Sequence, residues 1–379
     1  MHGIAKWLAI VASACCFVAQ PSRADEGVTD RTILIGQSAA LSGPAQELGS
    51  EMRQGALAYF GGINAQGGVN GRQIELRTLD DGYEPDRAAA NTKKLINEER
   101  VFALLGYVGT PTSQAALPIF TEARVPFIGP FTGAQLLRDP FNRHIFNIRA
   151  SYFDETEKIV EQLYAVGLKN IAVFYQNDAY GKAGLAGVER AMNKRNLKIA
   201  AAATVERNST DVAAAVQALH AAKPDAVIQI SAYKSCAALI KDMRKAGSAT
   251  QFYNVSFVGS RALANELGSA GVGVVVSQVV PLPWSGTQPI VREYQAAMQK
   301  AGATDLSFTS LEGYIAAKVL VEGLRRAGKS PTRSGLITAL ESMQDLDLGG
   351  FVVNFSPKSH NGSTFTDLTI ITQGGKFLH

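Results

Sequence analysis

The run Gly109-Thr110-Pro111-Thr112-Ser113 offers the clearest chemistry in this chain. It follows an apolar, strand-length stretch and opens a helix-length one. The first N–H groups of a helix have no partner within it and carry partial positive charge, so such a run suits a carboxylate. Ordinary N-capping by Thr or Ser accounts for the same residues. Tyr180 and Tyr233 each follow an apolar run, and a tyrosine at a strand edge supplies a ring wall and one hydroxyl. Asp80 and Asp81 could hold a metal or act as an acid pair, but Asp favours turns, and they read as closing a strand and capping the next turn. Asp154, with Glu157 three residues on, reads as the N-cap of a helix, and it is also an acid that could face a ligand.

These residues need a scaffold, and the chain describes one. Apolar runs at 33–36, 73–78, 102–106, 126–129, 171–175, 198–204, 225–230, 252–257 and 274–279 alternate with helix-length segments. The runs are continuously apolar, as strands buried on both faces should be. The pattern predicts an α/β fold built from βαβ units. Ile33 to Thr78 shows one whole unit: a strand, a Ser42-Gly43-Pro44 turn, a helix from about Leu48 to Asn64, and a second strand. Ligands of open α/β sheets bind at the carboxyl ends of the strands, where the polar loops lie. Asp211 is expected to cap a helix over 212–222, with Pro224 just beyond it. Tyr314, Ala317, Val321 and Leu324 form one apolar helix face that ends at Gly328.

Composition narrows the function classes. The N-terminus reads as a cleaved secretory signal over 1–24: Lys6, an apolar core from Trp7 to Val18, and Ser22-Arg23-Ala24 before the cut. A lipoprotein signal around Cys15 and Cys16 competes less well, because Ala12 sits where a leucine is usual. Cleavage removes Lys6 and Arg23 and no acid, which lowers the +4 formal charge by two. That balance, without a basic block, offers nucleic acid no electrostatic footprint. The rest of the 379 residues suffices for two domains at roughly 150 residues each. After cleavage Cys236 is alone, so no intramolecular disulfide can form, and it reads as a packed small hydrophobe. There is no phosphate loop, no H-E-x-x-H and no nucleophile elbow. The five histidines are scattered, so neither a zinc site nor any other cofactor is expected.

Taken in order, several segments resemble the periplasmic Leu/Ile/Val-binding proteins, the type I solute receptors of ABC importers. These are Ile33–Gly71, Asp80-Asp81, Gly106–Ser113, Val125–Gly133, Phe146-Asn147-Ile148-Arg149 and Tyr180-Gly181. The resemblance implies two Rossmann-like lobes with parallel sheets joined by a three-strand hinge. Crossings would fall near 149–151, 279–283 and 348–350. Lobe one would comprise about 27–150 plus 281–349, and lobe two 151–280 plus 350–379. It further implies a periplasmic, monomeric receptor that closes on a small-molecule ligand and docks on an inner-membrane permease.

The same resemblance places the ligand among Leu48, Thr110, Phe131, Gly133, Asp154, Tyr180, Tyr233 and Ser256. Thr110 stands at the carboxylate-binding serine. Leu48 replaces a frequent tyrosine and leaves that wall apolar. Phe131 stands where the branched-chain receptors have a small residue, and its ring would shrink the pocket or stack on a flat ligand. Gly133 replaces a threonine. Tyr83 and Gly109 stand where those receptors often carry a disulfide. Ser256 stands where they carry the acid that pairs with the ligand ammonium. A buried ammonium without a counter-charge costs several kcal/mol. The expected ligand is therefore a small organic carboxylate, an aromatic acid or a neutral amide, not a standard branched-chain amino acid.

Two rival readings remain at this stage. Receptors of this fold also feed signalling proteins, and a kinase rather than a permease encoded nearby would favour a sensor. A secreted α/β enzyme would need a nucleophile–base pair, which the sequence does not supply.

Overall fold

The computed structural model describes residues 26–379, so the secretory signal read at 1–24 lies outside the described residues. Its first sheet is formed by β1 (Thr32–Ala39), β2 (Gln73–Asp80), β3 (Ala103–Leu105), β4 (Phe127–Ile128) and β5 (Ile145–Phe146). All pairings are parallel in the order β2-β1-β3-β4-β5, with Ile33 opposite Ile74. The helices α1 (Gln46–Ala65), α2 (Pro85–Asn97) and α3 (Thr110–Glu122) connect the strands. Leu95, Tyr107, Phe120 and Phe127 pack in one core cluster on the side of α2 and α3.

The second half repeats the pattern. Helix α4 (Tyr152–Ala165) is followed by β6 (Ile171–Gln176), α5 (Ala179–Asn193), β7 (Ala202–Val205), α6 (Ala213–Ala222) and β8 (Ala226–Ile230). Then come α7 (Tyr233–Lys245), β9 (Gln251–Asn254), α8 (Ser260–Leu267) and β10 (Val275–Gln278). The chain next returns to the first sheet with α9 (Pro289–Lys300), α10 (Phe308–Ala327) and α11 (Arg333–Glu341). Helices α1 and α10 approach backbone to backbone: a Cβ on Gly55 would meet the Ser310 carbonyl oxygen, and one on Gly313 that of Met52. A hairpin of β11 (Leu346–Asp347) and β12 (Val352–Val353) follows. Finally β13 (Asp367–Ile371) and β14 (Phe377–Leu378) add antiparallel edges to the second sheet, ordered β14-β13-β10-β9-β8-β6-β7. The architecture is thus two Rossmann-like α/β lobes joined by three chain crossings.

All nine expected strands are present, and three details differ. Ser151, not Asp154, caps α4: its hydroxyl accepts from Asp154 N at 3.1 Å, and the Asp154 carboxylate accepts from Ser151 N at 2.9 Å. Asp154 is the third residue of a capping box, so the cap lies three residues earlier than its acid suggested. Helix α6 starts after Val212 without a side-chain cap, while Asp211 N donates to Ser209 Oγ at 3.0 Å.

The third crossing also moves. Gly349 and Gly350, expected at a hinge, form the β11–β12 turn, where both N–H groups donate to Asp347 Oδ1. Residues 352–362, expected in lobe two, stay beside β5. Asn147 N donates to His360 O at 2.9 Å, and the His360 ring stacks on Phe146 with centroids 3.8 Å apart. The chain reaches the second sheet only at β13.

Candidate functional site

Arg149 lies on the first crossing, between β5 and α4, and is 1 % exposed. One terminal nitrogen donates to Glu155 Oε1 at 3.1 Å and to Ser256 Oγ. The other faces Glu312 Oε1 of α10 at 3.5 Å. The guanidinium carbon sits 5.0 Å from the centroid of the Phe131 ring, a cation–π distance, and Nε has no protein partner. Burial disfavours its charge, but Glu312 and Glu155 outweigh that and hold its pKa above the ordinary value. Glu155 is saturated, since its other oxygen accepts from Ser256 N at 2.7 Å and Ser277 Oγ at 2.5 Å. Burial pushes Glu312 up to about 7 against the pull of Arg149.

Above this charge lies a cluster of rings from both lobes. Phe257, directly after Ser256, has its centroid 5.8 Å from Tyr83, 5.3 Å from Phe131 and 4.5 Å from Tyr180. Tyr152 closes the group at 5.5 Å from Tyr180. Tyr83 follows β2, Phe131 follows β4, and Tyr152 and Tyr180 stand in the first turns of α4 and α5, so every ring projects from a strand's carboxyl end or a helix start. Gln176 Nε2 reaches across to donate to the Tyr83 hydroxyl at 3.2 Å. Burial raises the pKa of the Tyr83, Tyr152 and Tyr180 hydroxyls, so they are neutral donors at physiological pH.

The structure draws most of the expected residues into this region. Phe131, Tyr180 and Ser256 are part of it, and the Tyr180 hydroxyl is buried without a protein partner. Thr110 opens α3, but its hydroxyl is paired with that of Thr132 at 2.7 Å, and Thr132 in turn meets the Tyr152 hydroxyl at 3.2 Å. One turn on, the buried Ser113 hydroxyl has no protein partner. Gly133 passes close to α4: its carbonyl accepts from Tyr152 N at 2.8 Å, and a Cβ there would sit 2.6 Å from that nitrogen. Leu48 packs across the cleft on Gly259. Two expectations fall outside the ring cluster. The Asp154 carboxylate is committed to Ser151. Tyr233 lies at one edge, lining a 360 Å³ surface cavity with Gln46, Glu47 and Lys234.

Arg149, Glu155, Glu312, Tyr83 and Phe257 were not among the ligand contacts expected from the sequence. The usable signal was Arg149 itself, a cation held between Ile148 and Ala150, since a buried charge must be paired. The turn acids and the packed cysteine lie as the sequence suggests. Asp80 accepts from Leu41 N and Gly82 N, both at 2.9 Å, and Asp81 from Tyr83 N at 2.8 Å, as turn-closing acids do. Cys236 is fully buried, and burial pushes its thiol pKa up. Among the described residues no group of His, Cys, Asp and Glu could hold a metal ion, and no helix is long and apolar enough to cross a membrane.

Comparison with known proteins identifies the family and the fold. Residues 32–376 match the family model described as periplasmic binding protein. The crystal structure of a possible leucine/isoleucine/valine-binding protein from Rhodopirellula baltica SH 1 is 37 % identical, with TM-score 0.87 and coverage of 95 % of this chain and 98 % of that one. A fatty acid ABC transporter substrate-binding protein from Thermomonospora curvata is 25 % identical, with TM-score 0.85 and 94 % of each chain covered. The leucine-, isoleucine-, valine-, threonine- and alanine-binding protein of Pseudomonas aeruginosa is 26 % identical over 305 residues, 79 % of each. This chain belongs to the periplasmic binding protein family, and it is a binding protein rather than an enzyme.

Proposed function

We propose that this protein captures a small carboxylic acid with a planar, largely apolar body and delivers it to an ABC importer permease in the inner membrane. The observation that carries the proposal is Arg149, a buried guanidinium at Ser256 and against the Phe131 ring. By resemblance, amino-acid receptors hold an acid at the Ser256 position. Here the Arg149 guanidinium donates to that serine; Glu155 and Glu312 offset its charge, and its buried Nε, without a protein partner, is the donor left for a ligand carboxylate. Glu155 does not restore the missing acid, because three donors already occupy it. The amino acids and fatty acids in the relatives' names share one group, the carboxylate.

Thr110, Phe131, Tyr180 and Ser256 are the proposed contacts among those expected from sequence, with Arg149 and Ser113 added. The division we favour gives 27–149 and 281–362 to lobe one and 150–280 and 363–379 to lobe two. Ligand binding would shift the open–closed balance by its extra affinity for the closed form.

Calorimetry with benzoate, benzamide and leucine tests this. Benzoate is expected to bind at about micromolar Kd, and Arg149→Met to weaken it about 100-fold, or about 3 kcal/mol. Tight leucine binding without benzoate binding would overturn the proposal, as would tighter binding of neutral benzamide than of benzoate.

A further inference from the structure

We infer that Phe257 is the residue that sets how large a ligand this cleft accepts. The inference rests on the ring cluster being the ligand site, as in the planar-acid reading, and adds a specificity determinant to it. Phe257 is fully buried and immediately follows Ser256, whose hydroxyl meets Arg149, so its ring stands one residue from the proposed carboxylate anchor. It touches Tyr83 and Phe131 of the first lobe and Tyr180 of the second. Each of those three rings comes from a different strand end or helix start, and none of the three is paired directly with another of the three. Phe257 is their common neighbour.

The ring planes also bear on size. They are inclined to Phe257 by 39° for Tyr83, 38° for Phe131 and 56° for Tyr180. Rings tilted in this way pack as a compact cluster rather than as parallel plates, and a ligand that enters between them is discriminated by volume. A close-packed apolar site separates ligands differing by one methylene by about 10- to 200-fold. Shortening Phe257 would create space at the centre of the cluster, next to the anchor. Trimming Phe131 or Tyr180 would instead remove an outer wall, and Tyr180 would also lose its hydroxyl.

The backbone around Phe257 fixes its position. Ser256 N is held by Glu155, and the chain then turns through Gly259 into α8. The side chain therefore does not follow a mobile loop; its place is set by the same carboxylate that holds Arg149.

The test uses the full mature chain as wild type, Phe257→Leu and Phe257→Ala, with benzoate and 2-naphthoate measured by calorimetry. Wild type should prefer benzoate. Phe257→Ala should shift the benzoate-to-naphthoate ratio of Kd values at least 10-fold toward naphthoate, with Phe257→Leu between them. A ring that only packs the core would weaken both acids alike, and a ratio constant within threefold overturns the inference. Because the readout is a ratio, general destabilisation does not imitate it; Phe257→Leu retains an apolar side chain should the alanine variant fail to fold. If wild type binds leucine but neither acid, the acid reading fails on its own. The size inference is then read from the leucine-to-phenylalanine ratio in the same variants. Wild type binding none of the four probes would overturn both.

Discussion

Glu84 and Arg207 join the two lobes through an ion pair of 2.9 Å at the rim of the cleft. Asn208 strengthens the join by donating to the same carboxylate at 2.7 Å and to Gly82 O at 3.1 Å, while Arg207 also reaches Asp178 at 3.3 Å. A second join lies elsewhere, where Arg261 of α8 pairs with Asp305 at 2.9 Å and faces Glu51 of α1 at 3.8 Å. Both sets of contacts span elements that hinge opening would separate.

The first prediction follows from that rim. A half-exposed ion pair alone contributes about 0–1 kcal/mol, and the Asn208 bond to the Glu84 carboxylate adds about 1 kcal/mol more. Glu84→Ala should therefore favour the open form and weaken ligand about 10-fold without touching the ring cluster, because apparent affinity scales with the competent fraction. Raising salt should weaken wild type more than the variant. Equal affinities, with equal radii of gyration in scattering, would show that the pair does not govern closure.

The buried charges around Arg149 give a second, asymmetric prediction. Glu155 holds three donors, so Glu155→Gln leaves Arg149 and Ser277 poorly paired and should cost about 3–5 kcal/mol in urea unfolding. Glu312 faces only one side of Arg149, at 3.5 Å, and carries a pKa raised by burial. With its pKa at about 7 the acid is close to half-protonated at pH 7, so Glu312→Gln should cost clearly less than Glu155→Gln, about 1 kcal/mol. Equal losses in the two variants would mean that Arg149 depends on both acids alike.

Stability should depend on pH in a direction set by buried carboxyls. Burial raises Glu51 and Glu312 to about 7 and Asp81 to about 6, each above its ordinary value. A raised acid binds a proton more readily folded than unfolded, so its contribution is largest below about pH 4 and is lost as pH rises through its folded value. Unfolding free energies from urea titrations should therefore fall between about pH 4 and pH 7 and level off above, by up to about 3 kcal/mol per group. Asp80 opposes this only at low pH. Its burial is outweighed by bonds from Ser42, Leu41, Gly82 and Arg87, which bring it to about 2, so its contribution disappears as pH falls through that value. Glu51→Gln should flatten the slope between about pH 4 and pH 7, and an unchanged slope would reject Glu51 as a contributor.

What the sequence made legible follows from burial. Strands such as β1, β6 and β8 lie in continuous apolar runs, and that pattern located them within a few residues. The two-residue strands β4 and β5 show the limit: Phe127-Ile128 stood out among apolar neighbours, whereas Ile145-Phe146 lies between polar His144 and Asn147. The hairpin glycines at 349 and 350 illustrate another limit, since a turn and a hinge ask for the same residue. In the cleft, Tyr180 and Ser256 could be placed by type and position. That Ser256 meets both Arg149 and Glu155 could not be foreseen, because its segment is about 100 residues away from them in the chain.

Tyr83 and Gly109 provide the last prediction. They stand where the resembling receptors often carry a disulfide, and here the Tyr83 ring lies directly over Gly109. A Cβ on Gly109 would sit 2.2 Å from Tyr83 Cε2, and the residue's φ of +102° already excludes most side chains. Gly109→Ala thus combines backbone strain of about 1–3 kcal/mol with an overpacking cost of similar size. Removing the ring should relieve the second part but not the first. The double variant Gly109→Ala with Tyr83→Ala should therefore be more stable, by about 1–3 kcal/mol, than the sum of the single losses predicts. Urea unfolding of wild type, both single variants and the double variant measures that coupling. Losses that add within about 0.5 kcal/mol would show that the ring does not press on position 109, and that glycine is required there by its backbone angle alone.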